Sequence, residues 1–382
     1  MTTYLVFVFL YGLVGSAYML ITPYLQRLGF TIEQAGIIFA FGQIAALALT
    51  LLFGWVSDKL SPNSGMAARQ ILDSIPLLII AFNPLFFGFV VARVLENLDM
   101  VLTPATYSFE KKVFSGDKTH KYVSYNYAIG WAASVLGWPV VGLAVTLSLE
   151  NYETLFLLGS ALMFLLVVFP LRLLTKVDAL TKSGEEKAPG VISALRRFDR
   201  TLAIIIFTEC LLYFGTSLAS NIVFTYFLMG VLKEDEFLLL STMAIVPFTI
   251  AVLSPLSSRV GTRVSMASMA SFGILIYISY SILMGVAKNI WVVVAAMIFQ
   301  GIALTLWFPA QRTMLYKYIP DRNRGIYFAV YGVLTGISSA LGILLGTVIS
   351  SEFFILAPYY FQILCLIFVY ALYRHVLRRR VS

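Results

Sequence analysis

Twelve apolar stretches, each long enough for a membrane-spanning helix of about 17 to 25 residues, follow one another along this chain with few polar intervals. They fall at residues 4–26, 33–57, 66–82, 86–110, 122–148, 153–175, 201–229, 237–258, 264–286, 290–316, 325–349 and 355–377. The third carries Arg69 and Asp73 near its start, and Asn83-Pro84 makes its turn into the fourth. Only 12% of residues are charged, against about 25% in a soluble domain, and the mean hydropathy is +0.88. A soluble protein is excluded. Residues 2–26 lack the basic start of a cleavable signal and are long enough to span, so the first helix is expected to stay.

The segment from Glu96 to Gly142 recurs 204 residues later, from Gln300 to Gly346. Glu96 aligns with Gln300, Asp117 with Asp321, Lys118 with Arg322, Tyr127 with Tyr331, Ser134 with Ser338 and Gly142 with Gly346. The chain therefore reads as an all-α membrane protein, with twelve transmembrane helices in two pseudo-symmetric six-helix bundles at 1–175 and 201–382. A polar linker, 176–200, joins them. Two similar bundles that rock about a site between them are a transporter's architecture.

Lys and Arg accumulate in cytoplasmic loops. With both termini inside, 23 of the 27 fall on the cytoplasmic side or its helix ends; Arg27, Lys233 and Lys288 lie outside and Arg93 within a span. The net charge of +8 thus records orientation rather than nucleic-acid binding. The reading is a multi-pass protein of the cell (plasma or inner) membrane, complete as a monomer, with the lipid bilayer as its surroundings. Cys210 and Cys365 sit in apolar segments as packed thiols, and His120 and His375 fall in basic loops. No metal site is expected. No phosphate-binding Gly-rich Lys motif is present, which argues against an ATP-driven pump, and no nucleophile stands with a base and an orienting partner, which argues against an enzyme.

Short loop motifs follow the second and eighth spans. The first runs Gly54-Trp55-Val56-Ser57-Asp58-Lys59-Leu60, and the second ends Ser258-Arg259-Val260-Gly261-Thr262-Arg263. Both resemble the G-x-L-a-D-R-x-G-R-R loop of the major facilitator superfamily, the first keeping Gly and Asp, the second keeping Arg259, Gly261 and Arg263. Arg93, Glu96 and Asn97 resemble that family's fourth-helix R-x-x-Q-G, and Gln300-Gly301 keep its Q-G. The resemblance implies alternating access, with Gly54, Asp58, Arg69, Arg259, Gly261 and Arg263 as a conformational latch. A carboxylate such as Asp58 can cap a helix N-terminus and pair with Arg69. On the fifth helix, Ser134 to Gly142 resembles the family's antiporter pattern G-x3-G-P-x2-G-G in degraded form, with Trp138 in place of the Gly before Pro139 and Leu143 in place of the final Gly.

Charges inside the spans are costly, about 2.5 to 3.5 kcal/mol each on insertion scales, and mark function. At 100° per residue the fourth helix presents Arg93, Glu96, Met100, Thr103, Tyr107 and Glu110 on one face, with Asp99 at its margin. Arg93 and Glu96 can pair at i, i+3; Asp99 is left without a local partner. These three residues are the expected proton-coupling group. Tyr107, Trp131, Trp138, Glu209, Tyr213, Gln300, Trp307, Gln311 and Tyr331 are the expected substrate cavity. Counting Asp73, Glu96, Asp99 and Glu209 against Arg93 leaves an acidic excess, which suits a cationic or neutral amphiphilic small molecule held against aromatic rings.

The expected function is proton-coupled secondary transport of such a solute, with export favoured. The proton gradient supplies the energy and no cofactor is needed. Import of a neutral solute such as a sugar is the alternative within transport, and a non-transporting sensor or scaffold is the alternative outside it.

Overall fold

The computed structural model describes residues 2–53, 60–102, 105–106, 109–110, 113, 119–147, 151–176, 200–260, 264–318 and 324–377; side chains at 50–53, 100, 119–125, 127, 255–260, 312, 316–317, 324–329 and 375–377 are not among those described. When short 3-10 and π turns are grouped with the helices they continue, the described residues form twelve helical segments and no strand. They are α1 (Thr2–Arg27, through a 3-10 turn at Ser16–Leu20), α2 (Ile32–Phe53), α3 (Pro62–Phe82), α4 (Phe86–Asn97, then a 3-10 turn Leu98–Val101), α5 (Thr119–Leu147) and α6 (Tyr152–Leu165, then a π turn Phe169–Leu173). The second set is α7 (Arg200–Leu218, continued by Asn221–Thr225 and Tyr226–Val231), α8 (Glu236–Val260), α9 (Met266–Gly285), α10 (Ile290–Tyr318), α11 (Arg324–Glu352) and α12 (Ala357–Ala371, then Leu372–Leu377). Ten of these are long and apolar enough to cross a membrane; α4 and α12 are the shorter pair.

Local chemistry sets the ends. Thr31 and Gln34 form a reciprocal cap at the start of α2, with Gln34 N donating to Thr31 Oγ1 at 3.3 Å and Thr31 N to Gln34 Oε1 at 2.9 Å, the capping-box arrangement. Ser61, Asn151 and Ser265 cap α3, α6 and α9 with side-chain oxygens. Asp235 does the same for α8, accepting from Leu238 N at 2.7 Å. At the end of α1, Gly29 adopts φ +82°, which lets Phe30 N reach back to Leu25 O at 3.1 Å.

The chain divides into two compact units. Unit 1 holds residues 1–30, 37–183 and 234–244; unit 2 holds 31–36, 184–233 and 245–382. Helices α2 and α8 therefore each begin in one unit and continue in the other. In unit 1, Tyr4, Phe7, Phe109, Met163 and Leu166 form an apolar cluster at one end. At the other, Tyr24 stacks on Tyr152 with ring centroids 4.8 Å apart and tilts against Phe156 at 5.5 Å. In unit 2, α7 packs chiefly on α11 and α12, and α9 packs on α10.

Within unit 1, α5 comes close to the first turn of α8 at a glycine. A Cβ at Gly142 on α5 would meet Glu236 O at 2.7 Å and Phe237 Cα at 2.9 Å. Both are backbone atoms, so only glycine admits the approach.

Candidate functional site

Three helices of unit 1 bring the intramembrane charges together. Arg69 lies in the second turn of α3, inside the helix, and it belongs with the charges of the span rather than with a loop. Its Nη2 stands 2.6 Å from Asp99 Oδ2, its Nε stands 3.8 Å from Asp73 Oδ2, and Nη2 also reaches Tyr11 Oη at 3.4 Å. Tyr11 Oη donates to Asp73 Oδ2 at 2.9 Å. Tyr18 donates to the Asp73 backbone carbonyl. One guanidinium thus lies between two carboxylates, with Tyr11 and Tyr18 adding hydrogen bonds to Arg69 and Asp73.

Asp99 has a partner because α4 does not stay α-helical. After Asn97 the chain tightens into a 3-10 turn, with Leu102 N donating to Asp99 O at 2.9 Å. A 3-10 turn advances about 120° per residue instead of 100°, so the face expected of a uniform α-helix fails at this point. Asp99 accordingly meets α3. Arg93 and Glu96 form the i, i+3 pair that their spacing suggests. The Arg93 guanidinium also lies 3.9 Å from the centre of the Phe39 ring on α2. Counting Arg69 with Arg93, the network of unit 1 sets three acids, Asp73, Glu96 and Asp99, against two arginines.

At the end of the same unit that holds the Tyr4 cluster, Glu110 accepts from Tyr4 Oη at 2.6 Å and from Asn126 Nδ2 at 2.8 Å. Tyr4, Tyr11 and Tyr18 are spaced by seven residues, so all three fall on one face of α1 and all three serve acidic residues. Sequence reasoning missed this stripe, although the heptad spacing is visible in it. Trp131 and Trp138 are half-buried on α5 in unit 1.

The other expected cavity residues lie in unit 2. Glu209 is wholly enclosed on α7, and Tyr373 donates to its Oε1. The Trp307 ring on α10 packs edge-on against Tyr213, centroids 6.2 Å apart. Gln311 Nε2 donates to Tyr331 Oη, joining α10 to α11. Gln300 instead turns to α9, where its Nε2 meets Tyr277 Oη at 3.2 Å. Leu212, Gly273, Ile274, Tyr277 and Trp307 line a narrow recess with no room for a water molecule. Sequence reasoning passes over Tyr277 and Tyr373, since neither stands beside an acid along its own helix.

Several expected positions lie outside the described residues: Tyr107, Gly54, Asp58, Gly261 and Arg263 entirely, and Arg259 for its side chain. Among the described residues, no group of three or more His, Cys, Asp or Glu could hold a metal ion.

A search of curated proteins finds no match. Solved structures do match over nearly the whole chain. The nucleoside transporter NupG, as a point mutant, gives a TM-score of 0.77 at 16% identity, covering 97% of this chain and 98% of that one. A POT family transporter in complex with a thioalcohol-conjugated peptide gives 0.79 at 14%, covering 99% and 96%. A bacterial homologue of the human lysosomal transporter Spinster, in an inward-facing and unoccupied conformation, gives 0.76 at 14%, covering 100% and 98%. At such identities the likeness is one of fold. The sequence profile of the Major Facilitator Superfamily matches residues 4–285 and 205–382, and with a membrane fold shared with transporters across its length, the chain belongs to that superfamily and is a multi-pass membrane transporter rather than an enzyme.

Proposed function

We propose that the protein is a proton-coupled secondary transporter that exports a small cationic or neutral amphiphilic solute by alternating access. The observation that carries this reading is the charge balance of the buried network. Among the described side chains of unit 1, the two arginines away from the span ends are engaged by carboxylates, Arg69 by Asp99 and Asp73 and Arg93 by Glu96. Anionic cargo would compete with those carboxylates for the same guanidinium groups. A cation or a proton meets the excess acid instead.

Arg69, Asp73 and Asp99 form a unit in which one proton can change the pairing. When Asp99 is ionised, it holds the guanidinium of Arg69; when it takes a proton, Arg69 is released toward Asp73, 3.8 Å away. That exchange is a two-state element of the kind an alternating-access cycle needs. Of the antiporter pattern on the fifth helix Pro139 and Gly142 remain while Trp138 and Leu143 replace glycines, so it favours export less than the full pattern would. A membrane potential adds about 2.3 kcal/mol per charge per 100 mV. The proposed setting is the cell membrane, with both termini in the cytoplasm and a monomer as the working unit.

A second reading, import of a neutral polar solute, is favoured by the amide–phenol pairs Gln311–Tyr331 and Gln300–Tyr277, which could exchange partners with solute hydroxyls. Proteoliposomes carrying the full chain separate the two. With a fluorescent lipophilic cation as probe, export predicts uptake into inside-acid vesicles that a protonophore abolishes. Asp99→Asn is expected to lose the gradient dependence while retaining exchange across vesicles without a gradient. Cation flux indifferent to the gradient, or unaltered coupling in Asp99→Asn, would remove the proposed mechanism.

A further inference from the structure

In unit 1 Asp73, Glu96 and Asp99 each have a guanidinium within reach, but among the described side chains Glu209 of unit 2 has none. Glu209 has no exposed surface. Its Oε1 accepts from Tyr373 Oη. Its Oε2 is enclosed and has no hydrogen-bond partner, and neither has the indole Nε1 of Trp307, which lies beside the same carboxyl.

Helix α7 is packed by α11, α12 with its continuation, and α10. The titratable groups that α11 and the continuation of α12 turn toward Glu209 are Tyr331 and Tyr373, and α10 contributes Trp307. On α7 itself the neighbours are Cys210 and Tyr213, with Arg200 nine residues away at the exposed helix start. Arg374 is exposed and meets Tyr370, and Tyr318 lies eleven residues beyond Trp307. The side chains of Arg312, Lys317, Arg324 and His375 are outside those described. Among the described residues, therefore, the carboxyl is ringed by phenols and an indole and is in no ion pair.

A carboxylate taken from water without a cation is strongly unfavourable. Neutralisation by an organic cation would need room beside the carboxyl, and Glu209 is wholly enclosed. The cation that fits the enclosed oxygen is a proton. We propose that Glu209 is a proton-binding site of unit 2: Oε2 carries the proton while the side chain is enclosed, Oε1 accepts from Tyr373, and the proton passes to water when the site opens, leaving the carboxylate.

A role for this proton in coupling rests on the proposed transport function; the protonation itself does not. Infrared difference spectra of the purified full chain, taken between neutral and alkaline buffer, test it without any solute. The wild type is expected to show a carboxylic-acid carbonyl band that Glu209→Gln lacks, and Tyr373→Phe is expected to move that band to higher frequency by removing the hydrogen bond to Oε1. Should Glu209→Gln fail to fold, the Tyr373→Phe shift carries the test alone. A band unchanged in both variants overturns the proposal. Absence of flux for every compound would defeat the transport reading and leave this spectrum as it is, so the two failures are distinguishable.

Discussion

Replacing Arg69 with alanine is expected to destabilise the protein by about 3–5 kcal/mol, the cost of removing one partner from a buried ion pair. The reason is what stays behind. Asp99 loses a contact at 2.6 Å, Asp73 loses one at 3.8 Å, and Tyr11 loses the cation above its ring, 5.6 Å from its centre. Two carboxylates would then face each other across α3 and α4, with tyrosine hydroxyls as their remaining support. The guanidinium side chain is only 19% exposed, so water compensates little. Thermal unfolding of the purified protein, followed by tryptophan fluorescence, measures the loss.

The same experiment has an internal control. If the penalty comes from stranded acids, then Asp99→Asn added to Arg69→Ala should recover part of it, giving a coupling energy of about 0.5–3 kcal/mol between neighbours of this kind. Arg69→Lys should fall between the two, because a single ammonium cannot present the planar fork that reaches both carboxylates. Additive losses in the double variant would mean that Arg69 acts through packing alone.

How much of this network the sequence discloses depends on how local each part is. The helices follow from apolar runs, and their starts from Ser61, Asn151, Asp235 and Ser265, because capping involves neighbours three residues apart. The Arg93–Glu96 pair is local in the same sense. Asp99 is not: its position depends on a helical phase that the 3-10 turn at Leu98–Val101 interrupts. Its partner comes from another helix. Apolar content marks the third stretch only from residue 66, which leaves Arg69 near its margin, whereas Ser61 and Pro62 start the helix earlier and carry Arg69 inside it. The tyrosines of α1 need a seven-residue count along one helix, and their acids stand on others. Tyr373 gives no signal at all, since a tyrosine near a membrane surface is ordinary until its hydroxyl is seen on Glu209.

Arg27→Ala is expected to lower the unfolding temperature more than Glu236→Ala, although each removes the same ion pair. Arg27 grips Glu236 through Nε at 2.8 Å and Nη2 at 3.2 Å, and Tyr152 Oη donates to Glu236 Oε1 at 2.6 Å. The two ends differ in burial: the Arg27 side chain is 43% exposed and that of Glu236 is 3%. Without Arg27, an enclosed carboxylate keeps the Tyr152 hydroxyl and a backbone N–H but no cation, at a cost toward the roughly 3–5 kcal/mol of a broken buried pair. Without Glu236, Arg27 turns to water, and the loss is that of charged hydrogen bonds and an unsatisfied Tyr152 hydroxyl, about 1–3 kcal/mol. Because Gly142 lets α5 touch the backbone of this same turn, the first residues of α8 are held in unit 1 by contact and charge together, while residues 245–260 of the helix belong to unit 2. Neutralising the acid as well, in Arg27→Ala with Glu236→Gln, should return most of the lost stability, since the amide can still accept from Tyr152. Equal losses in the two single variants, or the reverse order, would show that burial of the carboxylate does not govern this contact.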